Sequence, residues 1–215
     1  VDETMQIRGG RGYETAASLA ARGDKPVPIE RIMRDFRINR IFEGSSEIMR
    51  LFIAREALDP HLKLGAVAMD SRLPAGKRIR GALKAVGYYA RWYPRLYMPR
   101  FHRTLSGMHP TLRKHAMFAE RTSRKLARKL FHAMVRHGPG LESKQVTLQR
   151  LVDIGAELFV IAASCVRAQA AMDRGENEQE ILSLVDYLGC ESRLRIQRRF
   201  DGMVMNTDQA GYRLA

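Results

Sequence analysis

The stretch that decides the fold runs from Ser143 to Gly175 and reads SKQVTLQRLVDIGAELFVIAASCVRAQAAMDRG. Its large apolar residues recur three or four positions apart, at Leu148, Leu151, Ile154, Leu158 and Ile161. That spacing is typical of one face of an α-helix. Gly175 follows the periodic segment and is a common helix end. The pattern therefore predicts one long amphipathic helix from about residue 143 to residue 174.

Similar patterns lie on both sides of this segment. Upstream, Pro110 occupies a position typical of a first helical turn, and the pattern runs to Gly138. Downstream, a third pattern covers about residues 178–200. Short turns between long amphipathic helices favour antiparallel neighbours. No alternating segment is long enough to predict a sheet. We therefore predict an all-α fold with an antiparallel helical bundle over residues 110–202 and a tail over 203–215.

The positive charge of the chain is concentrated in its middle. The 215 residues carry 37 Lys and Arg against 23 Asp and Glu, a formal net charge of +14. Residues 72–150 hold 19 of the basic residues and only two acids, Glu120 and Glu142. Folding does not require such a block, because like charges repel. The middle third therefore faces either an anionic partner or solvent.

The composition excludes several classes of protein. Hydrophobic residues make up 45% of the chain, which excludes a disordered tail. Cys165 and Cys190 form no zinc pattern, and we expect them to be free buried thiols in a reducing compartment. The six histidines lack a metal-ligand spacing, so no metal is predicted. No apolar run is long enough for a transmembrane helix. Because the chain begins at Val1, we expect it to be part of a larger protein.

Residues 69–109 are predicted to form a basic, aromatic connector with short helices at about 77–91 and 94–105. Its membrane-surface candidates are Lys77, Arg78, Arg80, Lys84, Arg91, Trp92, Arg95 and Arg100. Cations beside aromatic rings suit the interface of an anionic membrane. A solvated face is the second interpretation. Nucleic acid or an acidic partner is a third, although no nucleic-acid-binding motif is present and we predict no nucleic-acid partner.

The first 68 residues carry four short motifs in a fixed order. In the same region we predict three helices, over residues 16–22, 29–37 and 46–58, and the last is expected to be interrupted at Asp59-Pro60. The motifs are MQIRGGRGY (5–13), ERIMRD (30–35), IFEGSSEI (41–48) and IARE (53–56). In this order they resemble the end of the acyl-CoA dehydrogenase catalytic fold. The resemblance implies that residues 1–68 are the C-terminal part of its catalytic helical domain.

The resemblance also implies roles for individual residues. Seven residues would lie near FAD, some of them near the FAD molecule of a neighbouring subunit. They are Gln6, Ile7, Arg8, Gly9, Gly10, Ser45 and Glu47. Glu43 matches the catalytic base that removes the α-proton of an acyl-CoA, and Phe42 and Gly44 would lie beside the substrate. From the residues alone, other interpretations stay open. The glycines are then a helix-ending turn, and Glu43 is a solvated acid at a helix start.

The length of chain after the Glu43 motif resembles the very-long-chain branch of the family, which has an extra helical domain and associates with membranes. This implies oxidation of long-chain acyl-CoA to trans-2-enoyl-CoA in fatty-acid β-oxidation. It also implies a homodimer, and electron-transfer flavoprotein or a similar acceptor. The expected compartment is the cytoplasm or one like the mitochondrial matrix. The alternative is a non-enzymatic assembly or membrane-scaffold protein that retains the fold.

Overall fold

The computed structural model describes residues 1–42, 44–98 and 105–214. In these ranges the chain forms helices and turns and no β-strand, which confirms the predicted all-α class. The α-helices are α1 (Asp2–Arg8), α2 (Gly10–Tyr13), α3 (Ala16–Ala21), α4 (Ile29–Ile38), α5 (Ser46–Met69), α6 (Ala75–Arg95), α7 (Pro110–His137), α8 (Gln145–Asp173), α9 (Glu178–Asp201) and α10 (Asp208–Leu214). A 3-10 helix (Gly138–Ser143) joins α7 to α8.

The chain divides into two compact units, residues 1–50, here called the first unit, and residues 51–215, called the second unit. The domain boundaries at 68, 109 and 202 inferred from the sequence stay predictions. In the first unit, α1 and α2 pack on each other and on α4. Gly12 is buried, and a Cβ at this position would come within 2.6 Å of the Met5 carbonyl oxygen. The close packing of α1 on α2 therefore requires glycine here. Leu19 and Ile29 are also buried.

Helix α3 corresponds to the short helix predicted over residues 16–22, and local polar contacts hold it in place. The Thr15 side chain accepts a hydrogen bond from the Ser18 N–H and caps the helix. Arg22 lies 2.5 Å from Glu14 and 3.4 Å from Asp24. The hydrogen bond from the Ser18 hydroxyl and that from Arg22 lower the pKa of Glu14.

The second unit contains the predicted bundle, in which α8 packs against both α7 and α9. The bounds of α7, α8 and α9 agree with the three predicted helices to within two residues, because the apolar period of these helices is unbroken. Most of its main core is apolar, namely Leu112, Ala119, Ile154, Leu158, Ile161, Cys165, Ala168, Ile196 and Phe200. The Cys165 thiol is fully buried, and burial raises its pKa. Cys190 is exposed, so the prediction of two buried thiols is wrong for this residue.

Partly buried ion pairs join α8 to α9. Arg195 contacts the Glu157 carboxylate through two hydrogen bonds of 2.7 and 3.1 Å, and Arg199 lies 3.2 Å from Asp153. Burial by itself raises the pKa of Glu157. Hydrogen bonds from Arg195 and Ser192 outweigh that effect, so the pKa is lowered and the carboxylate stays charged.

A buried histidine joins α7 to α9. His115 is fully buried, with Nε2 2.8 Å from an Asp186 carboxylate oxygen and Nδ1 3.1 Å from the Arg193 guanidinium. Because Arg193 can only donate, Nδ1 accepts, and the proton lies on Nε2 and is donated to Asp186. The hydrogen bond with His115 lowers the pKa of Asp186. Gly189 on α9 lies directly against the imidazole ring.

One expected interruption of the helices is absent. Helix α5 continues through Pro60 to Met69, so the predicted break at Asp59-Pro60 is wrong. A proline inside a helix costs about 3 kcal/mol. Here Ala54 and Leu58 pack into a second apolar core with residues of α7 and α8, which offsets that cost.

In the connector, helix α6 covers the first predicted helix (77–91) and continues to Arg95, with Pro94 accommodated in its last turn. Residues 99–104, half of the second predicted helix (94–105), lie outside the described residues. In the tail, α10 is attached to α8 by two hydrogen bonds of 2.5 and 2.8 Å between Arg150 and Asp208.

Candidate functional site

The first part of the candidate site is the turn between α1 and α2. Gly9 has a φ of +56°, and its N–H donates to the Gln6 carbonyl oxygen at 3.1 Å. Residues with a side chain rarely adopt such a φ, which accounts for glycine at this position. A Cβ on Gly9 or Gly10 would meet nothing within 4 Å, so the space beside the turn is open. A phosphate group can therefore approach this backbone closely.

The side chains before this turn leave a hydrogen-bond donor without a partner. Gln6 is exposed, and Ile7 is 84% exposed. Arg8 is half-buried, and its Nε is a buried atom with no hydrogen-bond partner in the described chain. Buried donors normally have a partner. An open glycine turn beside an unpaired arginine N–H fits the phosphates of a dinucleotide such as FAD.

The second part is the turn that precedes α5. Glu43, the predicted base, lies outside the described residues. On either side of it, Phe42 is 65% exposed and Gly44 has a φ of +105°. A Cβ on Gly44 would also lie 3.0 Å from the Met49 sulfur. Both the φ and the close contact favour glycine, so the chain turns sharply beside Glu43.

Ser45 and Glu47 form a local network at the start of α5. The backbone N–H of Glu47 and the Ser45 hydroxyl both donate to the Glu47 carboxylate, and these bonds lower its pKa. Arg50 lies 3.8 Å away. A carboxylate in the first turn also interacts favourably with the helix dipole. Glu47 is therefore ionised and oriented by α5.

The two turns lie in the same unit, on either side of α4. Ion pairs of 3.8 Å between Arg31 and Asp35 and of 2.6 Å between Arg34 and Glu30 lie along the surface of α4. Apolar side chains around the second turn are exposed, namely Ile41, Phe42, Ile48 and Met49. The described residues of this turn therefore present an exposed apolar surface.

The predicted membrane-surface cations, Lys77, Arg78, Arg80, Lys84, Arg91 and Arg95, all lie on α6. Arg100 lies outside the described residues. Arg78 donates to the Ala68 carbonyl oxygen at 3.4 Å, and the structure pairs none of the six with a described carboxylate. Three apolar residues of α6, Ile79, Leu83 and Val86, are each more than 60% exposed. Helical spacing places them in one stripe beside the cations. None of the helices, as far as the structure describes them, is apolar over a membrane-spanning length.

Trp92 belongs to an aromatic cluster that packs α6 against α5 and α7. Its ring centroid lies 5.0 Å from that of His61 and 5.7 Å from that of Phe131, and Tyr89 lies 4.8 Å from Phe131. Desolvation by burial lowers the pKa of His61. Trp92 was predicted to lie at the surface with the cations, whereas it is half-buried between helices.

The comparisons with known proteins bear on both turns. A family model described as the C-terminal domain of acyl-CoA dehydrogenase matches residues 1–58, which include both turns. The chain belongs to the acyl-CoA dehydrogenase family. The chain is 48% identical, over its whole length, to the probable acyl-CoA dehydrogenase FadE10 of Mycobacterium tuberculosis, of which it covers 33%. It spans about a third of the length of the relatives that it matches.

Two further matches support the branch and the fold. Over 91% of its length the chain is 30% identical to the human mitochondrial very long-chain specific acyl-CoA dehydrogenase, of which it covers 28%. A crystal structure of an acyl-CoA dehydrogenase complexed with FAD, from Bacillus anthracis, matches 99% of the chain and 32% of that protein, with a TM-score of 0.51 and 24% identity. The predicted family and its very-long-chain branch are confirmed.

The sequence patterns did not indicate the contacts of His115 or an apolar groove on the second unit, lined by residues of α5, α7 and α8. His115 lies three residues after Leu112 and four before Ala119, both of them core residues. That spacing puts it on the buried face of α7 and was a usable signal. In the described ranges, no group of three His, Cys, Asp or Glu side chains is arranged to hold a metal ion.

Proposed function

We propose that this chain is part of an FAD-dependent dehydrogenase that oxidises long-chain acyl-CoA to trans-2-enoyl-CoA. The observation that carries the proposal is the 48% identity to FadE10 over the whole chain. Glu43 is the α-proton base, with Phe42 and Gly44 beside the substrate. The residues that hold FAD are Gln6, Ile7, Arg8, Gly9, Gly10, Ser45 and Glu47.

The chemistry needs a base whose proton affinity matches a weakly acidic α-carbon. A carboxylate becomes more basic where water is excluded. Because Ile41 and Phe42 are exposed, we propose that the bound acyl chain itself covers them and removes water from Glu43. FAD, when bound, accepts the hydride that leaves the β-carbon. Electron-transfer flavoprotein or a similar acceptor then receives the electrons.

The exposed glycine turn also supports a homodimer. Gly9 and Gly10 are open to solvent and are accessible to a group held by another chain. We propose that this turn contributes to the FAD site of a neighbouring subunit.

Flavin spectroscopy separates the enzyme from a non-enzymatic scaffold that retains the fold. The full-length protein should be purified and its flavin absorption band recorded anaerobically before and after addition of palmitoyl-CoA. We expect the band to bleach as the substrate is oxidised. A protein without bound flavin, or a band that does not respond to any acyl-CoA, would contradict the dehydrogenase and favour the scaffold.

We further propose that α6 docks the protein on an anionic membrane surface. Its apolar stripe of Ile79, Leu83 and Val86 is exposed beside cations that no described carboxylate neutralises. Between Asp70 and Glu120 the sequence has no acidic residue at all. An apolar stripe flanked by cations is the pattern of a helix lying in a membrane interface. Trp92 is not needed for this role.

Vesicle binding tests the membrane proposal. Each cation near an anionic surface contributes about 1 kcal/mol to binding. Lys84→Glu removes one positive charge and adds one negative charge, so it should cost about 2 kcal/mol and weaken binding roughly thirtyfold. Leu83→Asp should weaken it as well, by removing apolar insertion. Arg167→Glu, the same charge change on an exposed position of α8, is the matched control. Co-sedimentation with vesicles containing phosphatidylserine should decline as salt increases. Equal binding to neutral and anionic vesicles would contradict the electrostatic part.

A further inference from the structure

An apolar groove lies on the second unit between α5, α7 and α8. It encloses about 410 Å³, within the range of about 300–1,000 Å³ for small-molecule sites. Every residue that lines it is apolar: Ile53, Ala54, Ala57, Leu126, Leu130, Leu151, Val152, Gly155, Ala156 and Phe159. Along α8 the lining extends from Leu151 to Phe159, which is about 12 Å of helix.

Small residues create the groove and large ones border it. Alanine or glycine occupies four of the ten lining positions, on α5 and α8. A Cβ added to Gly155 would meet Leu126 at 3.7 Å, an ordinary contact, so there is room for a methyl group at this point. Ile53 is 53% exposed and Phe159 is 73% exposed. Large apolar side chains at the rim of an open apolar groove are typical of a binding site.

We propose that this groove binds the alkyl chain of an anionic long-chain amphiphile, such as a fatty acid. The lining has no polar side chain, so an extended peptide would leave its N–H and C=O groups without partners. An alkyl chain has no such groups. The charge of α7, which forms one wall, is complementary to an anionic head. This helix carries eight Lys and Arg residues against one acid, Glu120.

The size of the groove favours one chain over a second copy of the protein. A stable protein interface buries about 800 Å² on each partner, largely through bulky side chains. A lining that is four-tenths alanine and glycine provides little such area. The proposal goes beyond the dehydrogenase function, because the lining lies on the second unit and includes none of the residues assigned to FAD or to the acyl-CoA.

Titration of the full-length protein with octanoate, laurate and palmitate tests the proposal, with binding measured by displacement of a fluorescent fatty acid. Each methylene group that enters the groove should tighten binding about fourfold until the groove is full. Palmitoyl-CoA, measured separately, shows whether the site takes the free acid or the thioester.

Two variants localise the binding. Ala57→Leu and Ala156→Leu place bulk in the groove from α5 and α8, at positions that are exposed and therefore tolerate it. We expect each to weaken palmitate binding at least tenfold. Ala163→Leu is the matched control, because it is an exposed alanine of α8 outside this lining. Circular dichroism confirms folding of each variant. Because the proposed dehydrogenase site also takes an acyl chain, it is the weaker binding of these two variants, and not of Ala163→Leu, that assigns palmitate to the groove.

Three results would overturn the proposal. The first is an affinity that does not change with chain length. The second is palmitate binding that both filled variants retain. The third is an unaltered protein that binds no palmitate and sediments as a dimer that Ala57→Leu dissociates, which would assign the groove to a second copy of the chain.

Discussion

Replacing Glu43 by glutamine should abolish acyl-CoA oxidation while FAD stays bound. Glutamine has nearly the same shape but cannot accept the α-proton. General bases contribute about a hundredfold to ten-thousandfold, and turnover should fall by at least that factor. FAD should remain, because its proposed contacts come from the glycine turn and from Ser45 and Glu47, which the substitution leaves unchanged.

Steady-state turnover with palmitoyl-CoA and the flavin spectrum of the same sample should be measured together. Glu56→Gln is the matched control, since Glu56 is an exposed glutamate further along α5, and its turnover should be unchanged. Normal turnover of Glu43→Gln would refute the assignment of the base. Loss of flavin together with activity would instead indicate a structural role for Glu43.

The sequence was sufficient to predict the bundle because its signals are local. The apolar period of α7, α8 and α9 sets which face is buried, and Pro110 and Gly175 mark where helices begin and end. The ion pairs of α4 could be predicted in the same way, because about one helical turn separates Arg31 from Asp35 and Glu30 from Arg34.

Contacts between distant segments could not be predicted in the same way. The proline rule gave a break at Pro60, but packing of Ala54 and Leu58 outweighed a local cost. Trp92 had the surroundings of a surface residue, since cations are its sequence neighbours. Its ring partners, His61 and Phe131, are more than thirty positions away in the sequence.

The candidate site was accessible to sequence analysis through its motifs. The φ of Gly9 and that of Gly44 give a physical reason for glycine at two positions that the motifs singled out. The unpaired Nε of Arg8 could not be foreseen, because burial of a single atom depends on the fold around it. The roles of the individual residues stay predictions.

The largest expected effect on stability comes from Gly189→Ala. A Cβ at this position would lie 2.3 Å from Nδ1 of His115 and 2.4 Å from its Cε1. The ring cannot move aside freely, because Asp186 and Arg193 hold its two nitrogens. Overpacking costs about 1–3 kcal/mol, and a buried polar group that loses its partner costs a similar amount. Alanine regains about 1 kcal/mol of helix propensity. The net loss should be about 1–5 kcal/mol.

Gly155→Ala on α8 is the matched control, and it should change stability in the opposite direction. Both glycines lie inside long helices, so the gain in helix propensity is the same, about 1 kcal/mol. At Gly155 the added Cβ meets Leu126 at 3.7 Å, an ordinary contact, so nothing opposes this gain. Urea unfolding of both variants measures the two free energies. If they shift together, His115 does not determine the packing of α7 against α9. If they separate by about 2 kcal/mol or more, the glycine at 189 is required by the imidazole beside it and not by the helix that contains it.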